Sequence, residues 1–119
     1  MQLLFRHSEE SGGCACLGVI SGDVKQLPSK PDMPIPHMGW NQLILRAKNH
    51  PLLRGVTDGS FVYFVHSFAA PICDATLASC DYSETFTALA GYKNFFGCQF
   101  HPERSGATGN QILKNFLDM

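Results

Sequence analysis

The chain has 119 residues, which corresponds to one domain or part of one. Hydrophobic residues make up 45% and charged residues 16%, a composition that excludes an intrinsically disordered chain. The formal net charge of -1 argues against a basic surface for nucleic acid and against a polybasic membrane patch. We also expect no membrane span and no secretory signal, because no apolar run approaches ~18 residues and no basic segment precedes an apolar one.

Five cysteines are spread along the chain without a CxxC pair: Cys14, Cys16, Cys73, Cys80 and Cys98. The odd number and the spacing predict reduced, mostly buried thiols in a cytoplasmic protein. A zinc site is not favoured, because His66 and His101 have no third ligand placed beside them.

The first segments are predicted from short apolar runs and glycines. Residues 1–10 resemble the end of a helix that stops at Gly12 and Gly13, with a frayed terminus as the alternative. Two short strands, at 16–20 and 24–27, are expected around a turn. Four prolines between positions 28 and 36 predict a loop.

The middle of the chain is predicted to be rich in strands, with one clear example at residues 61–66. These residues are nearly all β-branched or aromatic, which predicts a strand that is buried on both faces. Residues 95–100 are a second strong candidate, and weaker candidates are residues 40–45, 73–80 and 86–90. Ser105 is expected to cap a C-terminal helix with the following apolar stripe: Ile112, Leu113, Phe116 and Leu117.

The strongest chemical signal is the segment 99–103, which places a histidine at the end of a strand. Pro102 stops the ladder, and Glu103 follows His101 closely enough to accept a hydrogen bond from its ring. A histidine that acts as a general base needs such an acceptor on its second nitrogen. The alternative is a solvated His-Pro turn with a surface glutamate.

Two further segments and two cysteines each allow more than one interpretation. His66 lies at a strand end, where a ligand site and a structural role are both open. Trp40 either packs into the core or offers an aromatic ring to a partner from a loop. Cys73 or Cys80 could act as a nucleophile with His101, although neither is predicted at a helix N-terminus.

Taken together, residues 36–41, 63–68 and 99–106 resemble class I glutamine amidotransferases, specifically the glutaminase subunits of imidazole glycerol phosphate synthase. His101 and Glu103 are similar to the end of that family's Cys-His-Glu triad. The resemblance covers residues 1–119. It implies an α/β fold: the C-terminal portion of an open domain with a mostly central sheet, and hence a single partial domain over 1–119.

The start of the chain departs from the family pattern. The family's nucleophile elbow reads Gly-x-Cys-Leu-Gly-Met-Gln, of which only Met1 and Gln2 are present. The nucleophilic cysteine would therefore precede Met1, as in a truncated gene, a partial gene call or an internal start. We expect the isolated chain to be inactive.

The resemblance also assigns roles. It implies that His101 is the general base and acid and that Glu103 orients it. The positions that match the glutamine pocket are Gln2, Glu10, Ser67 and Phe68. The positions that match the interface with the cyclase subunit are Met38, Trp40, Tyr63 and Arg104. No metal or organic cofactor is implied.

The activity implied by the resemblance is the hydrolysis of glutamine to glutamate and ammonia. A cysteine thiolate would form a thioester, and ammonia would pass to the cyclase subunit of a heterodimer in histidine biosynthesis. The alternative is a non-catalytic fragment that only binds the cyclase subunit.

Overall fold

The computed structural model describes residues 1–119 and contains ten strands, four 3₁₀ turns and one α-helix. The strands are β1 (Phe5–Ser8), β2 (Cys14–Ala15), β3 (Ile20–Gln26), β4 (His37–Gln42), β5 (Ile44–Leu45), β6 (Phe61–His66), β7 (Phe68–Ala69), β8 (Thr76–Tyr82), β9 (Glu84–Tyr92) and β10 (Phe95–Cys98). The 3₁₀ turns are Gln2–Leu4, Glu10–Gly12, Pro51–Leu53 and Pro102–Arg104, and helix α1 spans Gly106–Leu117. The α/β class, the strand-rich middle and the C-terminal helix are thereby confirmed.

The strands are divided among three sheets. One has the order β2-β1-β3-β7, the second has the order β10-β9-β8-β5, and β4 pairs with β6 in a third. Only β1 and β3 run parallel, and every other ladder is antiparallel. No helix is long and apolar enough to cross a membrane.

The prediction of a helix at the N-terminus is wrong. Phe5–Ser8 forms a strand that lies between β2 and β3, with Phe5 fully buried at its start. The glycines that suggested a helix end belong to the β1–β2 connection, where Gly12 and Gly13 both have positive φ. Pairing with the next two strands of the chain therefore decided the structure of this segment, and its local propensity did not.

The predicted turn at residues 21–23 is also absent, because Ile20–Gln26 is one continuous strand. Its register against β1 shifts between Phe5 and His7, so that two residues of β3 oppose one of β1. Gly22 lies inside this bulge with φ 128, a conformation that favours glycine. The residues that suggested a turn, 21–23, therefore lie at a β-bulge.

The main core lies beneath β6, β8 and β9, and β6 has the predicted bounds but only one buried face. Val62, Phe64 and His66 point inward and are buried, whereas Phe61 and Val65 are exposed on the other face. The prediction of burial on both faces is therefore wrong. Strand β6 separates the core from an exposed apolar surface.

Helix α1 begins after Ser105 as predicted, but its buried face differs from the predicted stripe. Of the four stripe residues only Ile112 is buried, and Leu113, Phe116 and Leu117 are exposed. The helix is instead held by Asn115, whose side-chain nitrogen donates to the carbonyls of Leu52 and Arg54 at 2.9 and 2.7 Å. A polar side chain thus anchors the helix.

The two faces of β6 predict losses of stability of different size for the same type of substitution. Phe64→Ala should lower the free energy of unfolding by about 3–5 kcal/mol, because it leaves a cavity beneath a fully buried ring. Phe61→Ala is the matched control on the exposed face, where we expect a loss of about 1 kcal/mol or less. Urea denaturation measures both, and equal losses would contradict the assigned faces.

Candidate active site

The candidate site is built around the turn that follows β10. The strand ends at Cys98, and the Gln99 N–H donates to the Ala88 carbonyl at 2.8 Å. The chain then leaves β9, and the His101 N–H donates to the Tyr63 carbonyl of β6 at 2.9 Å. Pro102 opens the next 3₁₀ turn, a position at which its missing N–H needs no partner.

Ser105 fixes the far end of this turn. Its hydroxyl accepts a hydrogen bond from the Tyr63 N–H at 3.0 Å and donates to the His101 carbonyl at 2.6 Å. Ser105 holds the N-cap position of α1 as predicted, yet its side chain makes no cap hydrogen bond. Its hydroxyl instead fastens the turn to strand β6.

The His101 ring and the Glu103 carboxylate are in direct contact. Nδ1 of His101 lies 2.9 Å from Oε1 of Glu103, and the two side chains are 47% and 60% exposed. The backbone N–H of Glu103 and the His101 ring lower the pKa of the carboxyl group, so it is ionised at neutral pH. The carboxylate accepts the hydrogen on Nδ1, which leaves Nε2 of His101 free.

An exposed pair of this kind contributes little to folding stability, because water screens the attraction and the side chains must be ordered. The consequence of the contact is therefore the orientation of the ring and the choice of its tautomer. The structure thus brings together His101 and Glu103, and we call this pair the dyad.

Gln2 lies beside the same strand end, although its contacts were not predicted. Its side-chain nitrogen donates to the Phe68 carbonyl at 2.9 Å and to Oε1 of Gln99 at 2.8 Å. Gln99 is the second residue before His101. The segment that carries the His101 ring therefore also holds the Gln2 amide. Gln99 belonged to the segment singled out in the sequence, but nothing there indicated its partner.

Gln2 and Glu10 both line one open surface pocket of about 250 Å³. The other lining residues are Leu3, Ser8, Ser11, Cys14 and Cys16. Phe68 reaches this region through its carbonyl, which holds Gln2. Ser67 does not line the pocket, and its carbonyl accepts from the Leu27 N–H at 2.9 Å.

The four residues predicted near an interface lie on or beside the outer face of β4 and β6. Trp40 pairs with Tyr63 across the ladder, and their rings are 5.8 Å apart in an edge-to-face arrangement. Met38 is 62% exposed and Trp40 is 55% exposed. Arg104 is exposed in the turn that is fastened to Tyr63. Trp40 therefore lies on a strand, and its ring is at the surface.

The five cysteines are all free, but only Cys80 is buried. The prediction that most of them are buried is wrong, and Cys14 is exposed at the pocket. Burial raises the pKa of the Cys80 thiol to about 12 and that of Cys98 to about 11, so both are protonated at neutral pH. Neither Cys73 nor Cys80 makes a hydrogen bond with His101.

The structure has no group of three or more metal-ligating His, Cys, Asp or Glu side chains.

Residues 1–119 match the family described as glutamine amidotransferase class-I. The chain belongs to this family. The His101–Glu103 pair and the pocket at Gln2 and Glu10 therefore lie within residues that match this family.

Curated relatives cover the whole chain. It is 55% identical over 119 residues to imidazole glycerol phosphate synthase subunit HisH of Pectobacterium atrosepticum. It is 52% identical over 119 residues to the subunit of the same name in Escherichia coli (strain K12). Both alignments include 100% of this amidotransferase chain and 60% of the relative, so the chain spans about 60% of the length of these relatives.

Sequence analysis missed a buried pair of histidines next to the site. His37 and His66 face each other across the β4–β6 ladder, with Nδ1 of His37 2.8 Å from Nε2 of His66. Burial, and secondarily the neighbouring His66, lowers the pKa of His37 from 6.5 to about 4. Burial likewise lowers the pKa of His66. The sequence places His66 at a strand end, but the register that joins it to His37 could not be read from the sequence.

The lowered pKa of His37 predicts a specific dependence of stability on pH. Below about pH 6.5 the unfolded chain binds a proton at this residue that the folded chain does not bind until about pH 4. The free energy of unfolding should therefore fall as the pH is lowered from about 6.5 toward about 4. Above pH 6.5 this group should contribute no slope.

Urea denaturation at a series of pH values measures this effect. His37→Phe is the comparison variant, because the phenyl ring keeps the stacking on Tyr82 and Phe64 and cannot titrate. Its stability should change less between pH 6.5 and 4.5 than that of the wild type. Parallel curves for the two proteins would contradict the lowered pKa.

Proposed function

We propose that this chain forms part of the glutaminase site of imidazole glycerol phosphate synthase. In this proposal the complete site hydrolyses glutamine to glutamate and ammonia, and ammonia passes to a cyclase subunit in histidine biosynthesis. The whole-chain match to subunits of that name supports the assignment. Five free cysteines are in keeping with a cytoplasmic location.

The observation that carries the proposal is the contact between His101 and Glu103 at the end of β10. Glu103 holds the Nδ1–H tautomer, so Nε2 of His101 is available for proton transfer. Because the dyad is half-exposed, a thiol supplied beside it can reach that nitrogen. The arrangement suits His101 as the general acid and base and Glu103 as the residue that orients it.

The proposed chemistry is acyl transfer through a thioester. Nε2 of His101 takes the proton of a cysteine thiol, the resulting thiolate attacks the side-chain amide carbon of glutamine, and His101 gives that proton to the nitrogen that departs as ammonia. Water then attacks the thioester while Nε2 of His101 accepts its proton, and glutamate leaves as the thiolate is restored. The resemblance places the cysteine outside these 119 residues. The raised pKa values argue against Cys80 and Cys98 as the nucleophile, because a thiol of pKa about 12 or 11 is scarcely ionised at neutral pH.

We propose that glutamine occupies the pocket lined by Gln2 and Glu10. The Gln2 nitrogen is engaged by Phe68 and Gln99, so its side-chain oxygen is left to accept a hydrogen bond from the ligand. The Glu10 carboxylate suits the α-ammonium group of an amino acid. Ser67 and Phe68 contribute through their backbone, as the resemblance implies.

We propose that the cyclase subunit covers the outer face of β4 and β6. Support comes from the exposed aromatic and thioether side chains of Trp40 and Met38, which are residue types enriched at the centres of interfaces. Tyr63 and Arg104 extend this face to the edge of the His101 turn. Ammonia released at the dyad would therefore emerge beside the partner.

The first test is glutamate release from glutamine. We expect none from the 119-residue chain alone or with the cyclase subunit. We expect release when the chain is co-expressed with the part of the Escherichia coli relative that lies outside the alignment, where the resemblance implies the nucleophilic cysteine. His101→Ala should abolish this release, and Glu103→Gln should lower kcat by about 10²–10⁴ fold.

Glu84→Gln is the matched control for the carboxylate, because Glu84 is exposed on β9 away from the dyad. It should leave kcat unchanged. Glutamate release by the pure chain, or full activity of Glu103→Gln in the assembled enzyme, would refute the assigned roles.

The second candidate is a non-catalytic fragment that only binds the cyclase subunit, and the exposed β4–β6 face favours it. Trp40→Ala should raise the dissociation constant for the cyclase subunit about tenfold or more. Leu17→Ala is the control, because this leucine is 69% exposed outside that face. It should change the dissociation constant less than about twofold.

Titration calorimetry measures both constants and separates the candidates. Binding without glutamate release from the co-expressed halves would support the binding fragment. An absence of binding at tens of micromolar would remove the fragment proposal and the assigned interface.

A further inference from the structure

The inner face of β4 and β6 carries the buried pair His37 and His66, which has no part in the mechanism above. The two residues are Cα partners in the ladder and are 3% and 7% exposed. His37 is stacked between Phe64 and Tyr82, with ring centroids 4.8 and 4.0 Å away. Two imidazoles buried this completely need hydrogen-bond partners on their ring nitrogens.

The direction of every hydrogen bond in this pair follows from one carbonyl. Nδ1 of His66 lies 2.8 Å from the Phe68 carbonyl oxygen, which can only accept, so Nδ1 carries the hydrogen. In a neutral ring Nε2 is then an acceptor, and Nδ1 of His37 donates to it at 2.8 Å. Nε2 of His37 in turn accepts from the Asn41 side-chain nitrogen at 3.3 Å.

The opposite end of the chain of hydrogen bonds gives the same direction independently. The Asn41 nitrogen also donates to the Asp81 carbonyl at 3.1 Å, and its side-chain oxygen accepts from the Gln42 N–H at 2.8 Å. The amide therefore presents hydrogens, and not an oxygen, to His37. Both histidines are neutral Nδ1–H tautomers with both ring nitrogens in use.

The Phe68 carbonyl at the end of this network is also the acceptor for Gln2, at 2.9 Å. A second hydrogen of the same Gln2 amide goes to Gln99 at 2.8 Å. The orientation of the Gln2 side chain at the pocket is thus tied to His66. The connection runs without a gap from Asn41 on β4 to the pocket.

We propose that His37 and His66 are positioning residues that fix the Phe68 carbonyl and, through it, the Gln2 amide at the glutamine pocket. The identity of the pocket's ligand rests on the proposed function, whereas the connection from the histidines to Gln2 does not. Protonation of either ring would set two N–H groups against each other, so the network holds only while both rings are neutral. Burial, which disfavours both charged forms, keeps them neutral at pH 7.

The first test is nuclear magnetic resonance on the 119-residue chain. Long-range nitrogen–proton correlations should show the Nδ1–H tautomer for both His37 and His66. The Gln2 side-chain amide signals should move in His66→Phe, which loses both ring nitrogens. They should stay near their wild-type positions in His66→Asn, whose amide nitrogen can replace Nδ1 as the donor to Phe68.

Tyr82→Phe is the control for packing, because it keeps the ring that stacks on His37 and removes only a hydroxyl that donates to Pro34. It should leave the Gln2 signals in place. An Nε2–H tautomer in either histidine of the wild type overturns the proposal without any variant. Gln2 signals that are unmoved in a folded His66→Phe also overturn it.

The second test uses the co-expressed halves with the cyclase subunit. His66→Phe should raise the KM for glutamine about tenfold and change kcat less than about threefold, and His66→Asn should restore most of the affinity. Activity with an unchanged KM in His66→Phe would overturn the positioning role and leave the proposed function intact. If the wild-type assembly releases no glutamate, the proposed function fails, and the tautomers and Gln2 signals still decide the role of the histidines.

Discussion

The backbone of Tyr63 is the point on which the candidate site depends. Its carbonyl accepts from His101, its N–H donates to Ser105, and Ser105 closes the loop by donating to the His101 carbonyl. Strand β6 thereby fixes both ends of the turn that holds the dyad. The approach is so close that a Cβ at Gly109 would lie 1.9 Å from the Pro102 carbonyl oxygen. Only glycine lets the first turn of α1 pack there.

Strand β6 and its partner β4 have two faces with different surroundings. The inner face holds His37, Phe64 and His66 in the core, and the outer face presents Trp40 and Tyr63. Alternation of side chains along a strand makes the division automatic. A partner bound to the outer face would therefore contact the same two strands whose inner side chains carry the hydrogen-bond network toward the pocket.

The sequence predicted the parts of the structure that depend on local chemistry. Proline after His101 and glutamate beyond it indicate an oriented histidine at a strand end, and aromatic and β-branched residues at 61–66 indicate a strand. The sequence-based predictions were wrong where pairing between strands decides the structure. Phe5–Ser8 became a strand because β2 and β3 lie on either side of it, and the glycine at position 22 marks a bulge and not a turn.

In the candidate site too, contacts between residues near each other in sequence could be predicted, and contacts set by strand pairing could not. The contact of His101 with Glu103 spans two positions in the chain and could be predicted from their spacing. The contacts of Gln2 with Phe68 and Gln99, and of His37 with His66, join residues far apart in sequence. Their pairing depends on strand register, which one sequence does not reveal. The resemblance supplied Gln2 and Glu10 as candidates, but it did not supply the bonds that orient Gln2.

The exposure of the dyad and the exposure of the β4–β6 face point to the same conclusion about how this domain works. A histidine intended for catalysis is better placed in a site from which water is excluded, because proton transfer and charge stabilisation are stronger there. His101 is instead half-exposed, while Trp40 and Met38 form an uncovered apolar face on the strands attached to its turn. Covering that face with another subunit would remove water from both at once. Under the roles proposed above for His101 and for the β4–β6 face, assembly with a partner would complete the catalytic environment of the site.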